Sequence, residues 1–175
     1  KPEIVAEAEE ITVATHSLTF KDYLASRRLH LLTIIYHNAL FDFVHFYFKN
    51  NDIPISTLFR ALYLASAQRG FALEGVFDEF IRESQKELFS SERECLNYYR
   101  QASILQNVKD SEAGGNLLFK YLAIALFECW DEAVSDFITC LRKVTAFDDS
   151  QLEEIRVLLK NRLVDLSKGI TKSAI

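Results

Sequence analysis

Arg27, His30, His37, Asn38, Asp42 and His45 interrupt an otherwise greasy stretch from Thr19 to Asn50, TFKDYLASRRLHLLTIIYHNALFDFVHFYFKN. On a helical wheel of roughly 100° per residue they share one arc of about 140°, with Ile34 and Phe41 between them. Arg27, Asn38 and His45 fall close to one line along the axis. Two readings stand for this arc. It is the ordinary polar face of an amphipathic helix, or it lines a pocket or docks on a partner. In the second reading Arg27, Asn38, Asp42 and His45 are the side chains facing a ligand or a catalytic core, because polar groups on so apolar a helix need polar partners.

Metal chemistry is the weaker form of that second reading. Asp42 and His45 have the i, i+3 spacing of the carboxylate–histidine pairs in di-iron bundles, but such a site needs a second pair on another helix, and the sequence has none. On a straight helix His30 and His37 lie two turns apart and cannot share an ion. No metal site is expected. Other candidates also read as structure. Cys95, Cys129 and Cys140 are odd in number and widely spaced, and read as buried free thiols of a reducing cytoplasm. Glu128, Glu132 and Asp136 follow at four-residue intervals and read as a solvated or salt-bridged face rather than an acid–base pair. Gly114-Gly115 lacks the Lys-Ser/Thr of a phosphate loop. Tyr98 and Tyr99 read as packing residues. No catalytic residue is assigned.

The elements that would position these groups are helices. Thr19 with Asp22 has capping-box spacing, and Pro54 closes the region after Asn50. A short helix follows over 57–68, then an amphipathic one over 71–89 with Phe71, Leu73, Val76, Phe77, Phe80, Ile81 and Leu88 inward. Ser91 opens a helix over 92–108, and KDSEAGGN at 109–116 is the clearest turn. Leu117 to Val144 reads as one long helix whose run YLAIALFECW crosses the core. The last helix starts at Asp149 or Ser150, with Ser150 and Glu153 at capping-box spacing, and ends at Gly169. Phe43 and Trp130 are expected in the core. The fold expected is all-α: a bundle of about six helices around two apolar central ones, preceded by a short extended arm.

Residues 1–18 differ in texture from the helical domain, 19–175. Ile11, Val13 and Thr15 alternate as in a strand, and a lone strand needs ladder partners. Only five glycines and two prolines favour long helices; with no methionine even at position one, the chain reads as a fragment or processed product, its first stretch an irregular arm or the end of an absent catalytic core. The net charge of −5 argues against nucleic acid as a partner. The longest uncharged run, His30 to Phe41, is well short of the roughly 18–20 apolar residues of a membrane span. A homo-oligomer stays open.

The stretch from Val13 to Asn38 resembles a junction in cobalamin-binding radical S-adenosylmethionine proteins. There a strand-like Glu-x-x-Val-x-Thr passes through a Ser-x-Glu/Asp-Asp segment into a long helix. Glu10, Val13 and Thr15, then Ser17, Thr19 and Asp22-Tyr23, Arg27 or Arg28, and Leu29-His30-Leu31-Leu32 fill those places here. The family's C-x-x-x-C-x-x-C and D-x-H-x-x-G motifs are absent. The resemblance implies the carboxy-terminal helical region of such an enzyme, with the catalytic core of its own full-length chain as partner. It implies a [4Fe-4S] cluster, S-adenosylmethionine and cobalamin in the parent protein, with no residue of this chain assigned to them. The alternative is a self-contained helical module that binds a ligand or partner.

Overall fold

A computed structural model describes residues 10–37, 41–101 and 116–173; the side chains of 42 and of 163–173 lie outside that description. The fold is all-α, with eight helices among the described residues: α1 (Phe20–Tyr36), α2 (Asp42–Asn50), α3 (Ile55–Ser66), α4 (Glu74–Lys86), α5 (Glu92–Tyr99), α6 (Leu117–Phe127), α7 (Trp130–Val144) and α8 (Asp149–Ser173). The excess over six has one cause. Both helices expected to be long and continuous are broken, the first at His37, with φ −110° and ψ 61°, and the second at Glu128–Cys129.

Each break changes which residues face inward. Phe41, placed among the polar residues on a straight wheel, is fully buried, whereas Phe46, which the same wheel puts outside that arc, is 66% exposed. Phe43 is half-buried and lies beneath the Arg162 guanidinium, 5.1 Å from ring centre to Cζ. The element at the centre is α7 rather than the Thr19–Asn50 stretch. It buries Trp130, Ala133, Val134, Asp136, Phe137, Ile138, Cys140 and Leu141, and packs against α3, α6 and α8. α1 buries only Leu31, Leu32, Ile35 and Tyr36, and packs against α3, α4 and α6. Its tyrosine hydroxyl donates to the Ala133 carbonyl at 3.3 Å, which ties it to α7.

Local chemistry explains the ends. Thr19 and Asp22 cap α1 reciprocally, as the spacing predicts. At α5, Ser91 caps the Glu94 N–H, but the Glu94 carboxylate turns to Ser90 instead. α8 is opened by a reciprocal box between Asp148 and Gln151 rather than Ser150 and Glu153, and it continues through Gly169 to Ser173. The extended arm expected at the amino end forms no strand among the described residues. From Glu10 the backbone runs irregularly to a turn in which Thr15 Oγ1 accepts from the N–H groups of Ser17 and Leu18.

Candidate functional site

The break after α1 gathers aromatic side chains on both its sides. Inward, Phe41 meets Tyr36, Phe137 and Trp130 at centroid distances of 5.5, 4.5 and 5.8 Å. Outward, the His37 and His45 rings come within 4.6 Å, and Phe59 of α3 lies 5.8 and 6.4 Å from them. Eight residues apart on a straight helix, these histidines would be roughly 12 Å apart along the axis. No spacing rule finds the pair, because the break creates it. His37 is exposed and His45 half-buried. Asn38 and the side chain of Asp42 lie outside the described residues.

Arg27 faces a different neighbour. Its guanidinium lies over the Phe80 ring at 5.0 Å and donates to Ser84 Oγ at 3.4 Å, both on α4. Its Nε is buried and has no hydrogen-bond partner among the described residues. The adjacent Arg28 is the better-answered cation: it donates to the Ser66 carbonyl at 2.6 Å and to Asp78 at 2.8 Å, and sits over Phe77. The two arginines straddle the buried face of α4, so Arg27 and His45 are turned toward different helices.

The carboxylate that matters most to the packing is Asp136, expected on a solvated face. It is 7% exposed, and its two oxygens accept from the N–H groups of Ala72 and Leu73 at 2.7 and 2.9 Å. Those donors lie at the start of α4, where Leu73 supplies no side-chain cap, so a residue of α7 caps α4 from outside. Burial pushes the Asp136 carboxyl above the ordinary aspartate range, against the pull of the two N–H bonds. Burial likewise raises the Tyr36 hydroxyl well above its usual range and the Cys140 thiol to about 11, with Asp136 adding to both shifts. The legible signal was position: Asp136 directly precedes Phe137 and follows Val134 by two on a helix whose inward face they share. Glu128 and Glu132 are exposed, as expected.

The remaining surface offers two features. An open cleft of about 560 Å³ beside α5 is lined by Phe89, Arg93, Asn97, Tyr98 and Gln101 among others. There Phe89, Tyr98 and Tyr99 pack ring to ring, Tyr98 being largely exposed. The second feature is on α6, apolar on every side except for Lys120, which pairs with Glu83. One side buries Leu117, Tyr121 and Ala125; the opposite side exposes Phe119 (65%) and Phe127 (59%), with exposed Ala123 between them.

The three cysteines lie on separate elements. An iron–sulfur cluster needs converging thiolates, whereas Cys95 lies on α5, Cys129 at the α6–α7 break and Cys140 inside α7 with a proton firmly held. Among the described residues no three His, Cys, Asp or Glu side chains converge for a metal, and no helix is long and apolar enough to cross a membrane. Comparison of the chain with protein-family models, with curated proteins and with solved structures finds no match.

Proposed function

We propose that the chain is a non-catalytic accessory domain that works by packing against a larger catalytic core. The resemblance at residues 10–38 makes that core the barrel of a cytoplasmic, cobalamin-dependent radical S-adenosylmethionine enzyme, whose substrate site the domain helps to close. The observation that carries the docking part is the outer face of α6. A helix apolar on nearly all sides belongs inside a protein, and Phe119, Ala123 and Phe127 form an exposed stripe at four-residue spacing that nothing among the described residues covers. Arg27 contributes through α4, holding the domain in shape, rather than through the core's ligand.

The test uses the barrel encoded with this chain, purified with its cluster and cobalamin, and the double variant Phe119→Glu/Phe127→Glu. The wild-type domain forms a one-to-one complex that raises turnover, and the double variant, with an unchanged urea melt, binds at least tenfold more weakly. Absence of a complex, or a complex indifferent to both substitutions, refutes the reading. The cleft beside α5 favours the second reading, a self-contained ligand-binding module. A small molecule that raises the melting temperature of the domain alone, with the rise lost in Arg93→Ala, supports that one instead.

A further inference from the structure

The outer face of α6 reads the same from either end. Phe119 and Phe127 flank Ala123 at four residues on each side, all three exposed, with Leu122 and Leu126 half-buried beside them. We propose that this face closes on a second copy of itself, forming a weak two-fold dimer that keeps the docking surface covered until the core displaces it. The regulatory part rests on the reading above, that α6 is the surface that docks. An interface between identical copies must be complementary to itself about a two-fold axis. With the axis at Ala123 and the two helices antiparallel, Phe119 of each copy falls beside Phe127 of the other, about 6 Å to either side of the axis. The small side chain on the axis lets the helices approach closely. Rows at four-residue spacing are inclined to the helix axis by about 26°, and two such rows align when the helices cross at about −50°, the commonest class. Charge does not oppose the contact. The chain carries −5 overall, but the single charged side chain of α6, Lys120, is paired with Glu83 at 2.7 Å. One helix pair buries less than the roughly 1,600 Å² of a standard interface, so the dimer is weak and reversible.

The test uses the full chain alone, sedimented at concentrations from about 10 μM to about 1 mM, so its outcome does not depend on whether a core binds. Expected is a monomer–dimer equilibrium, weakened at least tenfold by Ala123→Glu, which sets two carboxylates on the axis, with the urea melt unchanged. Under mild oxidation Ala123→Cys forms a disulfide between copies, whereas Phe46→Cys, exposed on α2, forms none; peptide mapping separates these links from any through Cys95, Cys129 or Cys140. Phe119→Cys and Phe127→Cys link to each other when mixed and not when alone, the mark of an antiparallel pair. A chain that stays monomeric at every concentration, a dimer indifferent to Ala123→Glu, or equal linking at Phe46→Cys overturns the dimer. None of these outcomes touches docking on a core, which is read from the complex.

Discussion

The chain turns a corner twice where its hydrophobicity runs straight on, at His37–Phe41 and at Glu128–Cys129. The second corner is sealed. Glu128 and Cys129 both donate to the Ile124 carbonyl, Ala133 donates to Cys129, and the Trp130 indole N–H reaches the Leu159 carbonyl of α8 at 3.3 Å. At the first, among the described residues, Phe41 enters the core and Tyr36 is bonded to Ala133, while Phe41 gives α2 no side-chain cap and His37 is exposed. The corners therefore serve different ends: one completes a core, and the other sets the exposed His37 ring against His45 and Phe59 at its edge. The two are also joined, since Phe41 and Trp130, the first residues past each corner, are in contact.

That contrast can be broken first at the junction itself. Phe41→Ala should cost about 3–5 kcal/mol in urea melts, and the double variant with Trp130→Ala should lose less than the sum, because the rings share one cluster. Strict additivity would mean that the corners are independent. Next comes Asp136→Ala, which strands buried backbone donors at the start of α4 and should cost about 2–3 kcal/mol.

The Asp136 carboxyl also gives a signed pH test. Its folded value is raised above the ordinary 3.8, so its contribution is fully present below that value and is lost as pH rises through the folded one. The stability of the wild type relative to Asp136→Asn should therefore fall as pH rises from about 4. A rise would show that the two N–H bonds outweigh burial. Arg27→Ala removes a contact over Phe80 and a long hydrogen bond, and should cost about 1–2 kcal/mol; an unchanged melt would return Arg27 to the list of docking residues. His37→Ala, on the open side of the first corner, should change stability by no more than about 0.5 kcal/mol.

Helix content was legible because scarce glycine and proline and the Thr19–Asp22 spacing are local signals, and the inward face of α4 followed from periodicity alone. Neither corner was. No proline or glycine marks either one, and what bends the chain is packing between residues far apart in sequence, such as Phe41 on Phe137. A wheel carried through the first corner therefore misplaced Phe41 and Phe46. It also drew Arg27 and His45 into one arc, although they face different helices. Asp136 was misread for a related reason: a carboxylate on an apolar face looks like an error in phase until the uncapped start of α4 is seen opposite it.

The contact between Phe41 and Trp130 has a kinetic side. It closes a loop of roughly ninety residues, and the entropy of closing it must be met before the contact stabilises anything. The neighbouring pairs α1–α3 and α1–α4 span shorter separations and can form earlier. Truncating Phe41 should then act mainly by accelerating unfolding, with the refolding limb of the chevron almost unmoved.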